Sequence, residues 1–119
     1  MINSGDSQVK PASTLADFQK LDLRVGSVEK AERKEGSDKL IRLTVNLGQQ
    51  FGNVTILAGI ASWYSPAKLK NKKYIFVTNL EPKKMMGEES QGMMLAADAQ
   101  GECKLIPVDK SIPAGTVVR

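Results

Sequence analysis

Apolar and polar residues alternate along most of this chain. A repeat of two puts one strand face in a core and the other in solvent. Leu21, Leu23 and Val25 alternate with Asp22 and Arg24, which predicts a first strand running to about Glu32. The phase breaks at Gly26, since the next apolar residue is Val28, and this predicts a β-bulge at the glycine. Residues 33–38, Arg-Lys-Glu-Gly-Ser-Asp, read as a turn. Ile41, Leu43, Val45 and Leu47 point one way from a second strand over 39–47, and Arg42, Thr44 and Asn46 the other. A third strand covers Val54–Ala58. Ser65 and Pro66 then read as the N-cap and first residue of a short helix.

Lys73–Leu80 forms a nearly apolar fourth strand, and Met93–Ala97 a fifth. A turn at Gln100-Gly101 leads to a sixth extended run, Cys103–Val108. Pro113-Ala114-Gly115 is a tight turn, and Thr116–Val118 a last extended piece. Ahead of the strands, Leu15–Lys20 makes one helical turn with Leu15 and Phe18 on the core. Residues 1–14 are polar and unpatterned, a disordered tail or linker. Five main strands with a helix between the third and fourth is the element order of an OB-fold, an all-β five-stranded Greek-key barrel. Ligands of that fold lie across strands two and three. The flanking loops are the first-to-second and fourth-to-fifth, here 33–38 and 81–92.

Composition narrows the chemistry. At 119 residues the chain is one domain, taken as 15–119, with core enough to fold. No apolar run suits a membrane span, and the N-terminus has no secretory pattern, so a cytoplasmic place is expected. There is no histidine and one cysteine, Cys103, read as a small core residue. That removes imidazole acid–base chemistry, Ser-His and Cys-His nucleophiles, and thiolate or imidazole metal sites. Glu88 and Glu89 are adjacent in a loop and read as solvated. No phosphate-cradling glycine motif is present. No cofactor is expected, and a binding module is favoured over an enzyme.

Net charge is +4, unevenly spread: residues 68–84 hold six lysines against one acid, Glu81. A basic excess gathered mid-chain fits a polyanion partner, and also an ordinary basic surface. Both ligand-flanking loops carry a basic pair, Arg33-Lys34 and Lys83-Lys84, which favours nucleic acid. Arg42 would share the outer sheet face with Thr44 and Asn46, where either a ligand or solvent can lie. Trp63 and Tyr64 read better as core or interface anchors than as base-stacking platforms.

The blocks Asp17-Phe18, Leu21–Gly26, Ser37–Leu40, Asn79–Met85 and Ser90–Met93 resemble the tRNA-binding OB domain family, over about Asp17–Arg119. That family includes the C-terminal domain or β-subunit of many methionyl-tRNA synthetases and free-standing tRNA-binding proteins. The Gly59-Ile60-Ala61…Tyr64 and Ser90–Met93 segments look most like the methionyl-tRNA synthetase branch. The resemblance implies a non-catalytic module that recognises tRNA shape and raises a synthetase's affinity for tRNA. It implies a homodimer built through a C-terminal dimerisation extension, after about Cys103 and including the Trp63-Tyr64 segment. It puts an arginine where this chain has Met86, so one phosphate ligand is missing.

On this reading Arg24, Lys34, Lys39, Arg42, Lys83 and Lys84 contact phosphates and riboses. Ser37, Asn79, Ser90 and Gln91 hydrogen-bond exposed edges or 2′-hydroxyls. Asn79 could equally satisfy backbone at the loop's base. Met85 packs on a base or ribose, and Asp38 braces the first loop. The alternative is a polypeptide-binding export chaperone of the same fold, for which Met85, Met86, Met93 and Met94 would supply an adaptable apolar surface.

Overall fold

An eleven-residue strand, β1 (Leu23–Arg33), runs through the middle of the structure. The computed structural model describes residues 8–119. One edge of β1 pairs antiparallel with β2 (Ile41–Asn46), which pairs with β3 (Asn53–Ala58). The other edge pairs with β4 (Lys73–Val77), which pairs with the short β7 (Met93–Met94). The order β3-β2-β1-β4-β7 is that of an all-β, nearly closed five-stranded barrel. Its interior is filled by Val28, Ile41, Leu43, Val45, Ile56 and Phe76, all fully buried. Leu69 joins them from α2 (Pro66–Leu69), the short helix between β3 and β4. Proline at its first turn fits the motif read from the sequence, although Ser65 makes no side-chain cap bond.

The phase break in β1 has a different cause from the bulge expected at Gly26. Pairing with β4 continues unbroken from Leu23↔Val77 to Ser27↔Lys73. Leu23 and Val25 are buried on one face of β1, and Val28 on the other, facing Val45 across the ladder. Gly26 lies on the interior face, where a Cβ would stand 2.6 Å from Val45 Cγ1 and 2.7 Å from Phe76 Cδ1. The glycine leaves room for the phenylalanine ring. The bulge itself comes later, where the β1–β2 register shifts between Val28 and Lys30 and leaves Glu29 unpaired.

The barrel closes through a segment that is polar in sequence. The expected loop over 81–92 contains a hairpin, β5 (Lys83–Met85) and β6 (Glu88–Ser90). At its base Gln91 N–H donates to the Thr55 carbonyl at 2.8 Å, and Thr55 N–H donates to Gln91 Oε1 at 2.9 Å. Leu57 N–H donates to Ser90 Oγ at 3.0 Å, and that hydroxyl donates onward to the Gly92 carbonyl. These bonds satisfy the free edge of β3, which an open sheet would leave exposed.

The expected fifth strand divides. Met93 and Met94 stay in the barrel, and Ala96 turns away into a second hairpin, β8 (Ala96–Ala99) with β9 (Glu102–Leu105). The sixth run thus ends at Leu105, before Pro107. Tyr64 packs on the core edge, and its hydroxyl accepts from Leu105 N–H at 3.0 Å, while Trp63 is exposed. Cys103 is half-buried against the core. The chain ends in β10 (Val117–Val118), paired with the start of β1.

The expected helical turn is present as α1 (Leu15–Gln19), capped by Thr14 Oγ1, which accepts from Asp17 N–H at 3.0 Å. Its expected packing is not: α1 buries no residue, and Leu15 and Phe18 are 70% and 44% exposed. Of the tail read over 1–14, residues 1–7 lie outside the described residues, and 8–13 are exposed without regular structure.

Candidate nucleic-acid interface

Two loops meet over the outer face of β2. The first, 34–40, is folded by Ser37. Its Oγ accepts from Lys39 N–H and Leu40 N–H, each at 3.2 Å, and its N–H donates to the Lys34 carbonyl at 3.0 Å. Ser37 therefore does the bracing expected of Asp38, which is exposed. The second is the β5–β6 hairpin. Its two-residue turn, Met86-Gly87, has φ of +51° and +80°, a mirror-image turn whose twist suits right-twisted strands. Met86 Cε reaches across to within 3.7 Å of where a Cβ on Gly36 would lie, so the loops touch at their tips.

The ion pairs beneath this contact overturn the reading of Glu88 as solvated. Glu88 is half-buried and bridges the two loops: Lys34 Nζ donates to its Oε1 at 3.0 Å, and Arg42 Nε to its Oε2 at 2.6 Å. Arg42 NH1 also donates to Glu32 Oε1 at 3.0 Å, across the Glu32↔Arg42 pair of the β1–β2 ladder. The lysine ammonium, and then the guanidinium, hold the Glu88 carboxyl below its ordinary range. The bond to Glu88, and then the bond to Glu32, raise the Arg42 pKa. A polar depression of about 490 Å³ here is lined by Arg33, Lys34 and Arg42 against Glu32, Glu35 and Glu88. Its formal charge is zero.

Comparison with known proteins shows the family of the chain. Residues 23–117 match the family described as "Putative tRNA binding domain". This chain belongs to that family. It is 48% identical over 110 residues to a methionine–tRNA ligase of Methanothrix thermoacetophila. That match takes in 92% of this chain and 16% of the ligase, so the chain spans about a sixth of that relative's length. The MetRS-related protein of Pyrococcus horikoshii superposes with a TM-score of 0.88 at 41% identity, covering 92% of this chain and all of that one. The chaperone CsaA of Bacillus anthracis superposes at 0.82 with 31% identity, over 92% of this chain and all of that one.

In this tRNA-binding domain the residues singled out from sequence fall into three groups. Lys34, Ser37, Lys39, Arg42, Lys83, Lys84 and Met85 come together on the two loops and β2. Among the described residues Lys39, Lys83 and Lys84 are exposed and make no ion pair. Met85 lines an apolar groove of about 220 Å³ with Met93, Met94, Leu57 and Ile60. The second group, Ser90 and Gln91, is engaged in closing the barrel. Ser90 is buried with its hydroxyl both accepting and donating.

The third group lies elsewhere. Arg24 stands at the opposite end of β1 from Arg33, about 30 Å away were the strand straight at ~3.3 Å per residue. It donates to Asp22 Oδ1 at 2.8 Å and the Gly115 carbonyl at 3.2 Å, and lies 5.3 Å over the Phe51 ring. The Asn79 amide bridges Asp22 N–H and the Lys20 carbonyl, the backbone role left open for it. Sequence reasoning missed Glu88 and Glu32. Glu32 was recoverable from the β1–β2 register, whereas the Lys34–Glu88 pair joins residues 54 positions apart with no local signal. Among the described residues no acidic or cysteine cluster could hold a metal ion, and no helix is long and apolar enough to cross a membrane.

Proposed function

We propose that this domain binds the folded shape of tRNA for a methionine–tRNA ligase, as its C-terminal part or β-subunit. On this proposal it raises the ligase's affinity for tRNA without chemistry of its own, in the cytoplasm. The observation that carries the reading is that Lys39, Lys83 and Lys84, exposed and without ion pairs, sit on two loops that touch through Met86 and Gly36, and that Met85, next to Lys84, lines a methionine groove. The lysines neutralise phosphates, and the groove takes an unstacked base or ribose face. Met85 lies between the two. Ser37 and Gln91 hold the two loops through bonds to backbone, and Arg24 and Asn79 bond to protein groups at the other end of β1.

The test is a titration of folded tRNA, heat-denatured tRNA and a DNA duplex at two salt concentrations. Folded tRNA is expected to bind most tightly, weakening with salt. Lys83→Ala with Lys84→Ala should lower the slope of log affinity against log salt by roughly 1.4 to 1.8, two phosphate contacts at about 0.7–0.9 each. A double variant with unchanged slope overturns the site. The likeness to CsaA, together with the methionine groove, supports a second reading, binding of unfolded polypeptide. Equal feeble binding to all three nucleic acids, with capture of a reduced unfolded protein, would favour it.

The proposal includes pairing with a second copy of the chain. Leu15, Phe18, Leu21 and Val117 are all exposed around one depression of about 560 Å³ at the α1–β10 end of the barrel. Trp63 and Ile106 are exposed near the second hairpin. Exposed apolar side chains grouped at that end support an interface remote from the two-loop site.

A further inference from the structure

Glu88 presents its carboxylate to two cations at once. Its two carboxylate oxygens each take one cation, Lys34 Nζ on Oε1 and Arg42 Nε on Oε2. Two free oxygens of a phosphodiester can accept from a lysine and an arginine in the same way. The guanidinium is also held by Glu32 on a different nitrogen. Of the six cations around the two loops and β2, Lys34 and Arg42 are thus paired within the protein, while Arg33, which lines the same depression as Glu32, Glu35 and Glu88, makes no ion pair. Lys39, Lys83 and Lys84 stay free.

We propose that Glu88 is a built-in competitor that withholds Lys34 and Arg42 from nucleic-acid phosphates, so that only a phosphate placed between the two loops gains them. This deepens the tRNA-binding reading and rests on it for the natural ligand. The exchange is physically open. Partly exposed ion pairs contribute ~0–1 kcal/mol, so displacing Glu88 costs little. A polyanion gains counterion release for each phosphate neutralised, which Glu88 cannot match. Glu88 also follows directly on Gly87 in the two-residue turn, at the tip where the hairpin touches the first loop, so its withdrawal does not require the barrel to open. A loosely held phosphate, as on a duplex lying across the face, meets a neutral patch. A phosphate inserted between the loops meets two cations.

The test compares wild type, Glu88→Gln and the neighbouring Glu89→Gln, which removes the same charge from an exposed residue without an ion pair. Two probes are used: elution from heparin, which does not depend on the tRNA reading, and titration of folded tRNA and DNA duplex over a range of salt. Glu88→Gln should elute from heparin at higher salt and bind the duplex about five- to tenfold more tightly at low salt. Its salt slope should steepen by about one phosphate contact. The gain on folded tRNA should be smaller, narrowing the preference for it. Adding Arg42→Gln should remove the gain. Circular dichroism establishes that each variant is folded, and Glu88→Asp, which keeps the charge on a shorter arm, serves if Glu88→Gln is not. That variant should bind more tightly than wild type, by less than about fivefold.

The inference is overturned if Glu88→Gln binds heparin no more tightly than wild type, or if Glu89→Gln gains as much. Weaker binding by Glu88→Gln would instead make the carboxylate a positioning group for the cations, and overturns it too. If the heparin shift appears but wild type shows no preference for folded tRNA, the competitor role stands and the tRNA reading fails.

Discussion

A methyl group on Gly26 would have nowhere to go. Its carbon would lie 2.6–2.8 Å from Val45 and the Phe76 ring, and both neighbours are fully buried with no exposed side to move into. Gly26→Ala is therefore an overpacking change, with an expected destabilisation of ~1–3 kcal/mol. A fall in the urea midpoint at constant slope would show it. An unchanged midpoint would mean that Phe76 repacks. From the sequence, the residue's glycine character was evident and its reason was not. A phase break in the hydrophobic pattern looks the same whether a strand bulges or buries both faces in turn. Only the partners on each side, Ile75 and Val77 for the first half and Val45 for the second, distinguish the two. Leu15 and Phe18 carry a related lesson. Their helical spacing was correct, but spacing does not say that any surface waits to receive them.

At the scale of elements, the β5–β6 hairpin is where barrel and site are the same object. Its first strand presents Lys83, Lys84 and Met85, Glu88 of its second strand grips β2, and its base closes β3 through Ser90 and Gln91. Ser90→Ala would leave the buried Leu57 N–H without an acceptor, at an expected cost of ~1–3 kcal/mol. Amide exchange at Leu57 should quicken, with β1 amides changed only by the global loss. If Leu57 is as protected as before, another acceptor closes the edge. The hairpin was hidden in sequence because Lys-Lys-Met and Glu-Glu-Ser offer no apolar alternation. Its strands are held by their turn and by bonds to β3. Met86 at φ +51° occupies a conformation that an L side chain reaches only at some cost, and the adjoining Gly87 makes the tight turn possible.

For the whole molecule, the two-loop site and the depression at the α1–β10 end lie at opposite ends of β1. A second copy docked at the depression would leave each site free. Phe18→Asp, at a surface position of a short helix, should leave the monomer fold intact and lower the mass seen by sedimentation equilibrium from about two chains to one. Retention of the dimer would move the interface toward Trp63 and Ile106, and a monomeric wild type would remove the pairing from the proposal. The sequence by itself determined the strands whose apolar alternation is unbroken, the helix between β3 and β4, and through its motif blocks the tRNA-binding family. Those are properties of short windows, where side-chain period and turn chemistry act on nearest neighbours. The tertiary structure decided what depends on residues far apart in the chain: that Gly26 makes room for Phe76, that a polar hairpin shuts the barrel, and that Ser90, Gln91, Arg24 and Asn79 bond to the protein itself. It also decided that Lys34 and Arg42 share Glu88. Coulombic and hydrogen-bond partners are chosen by proximity in space, and a linear sequence carries charge without saying what it will face.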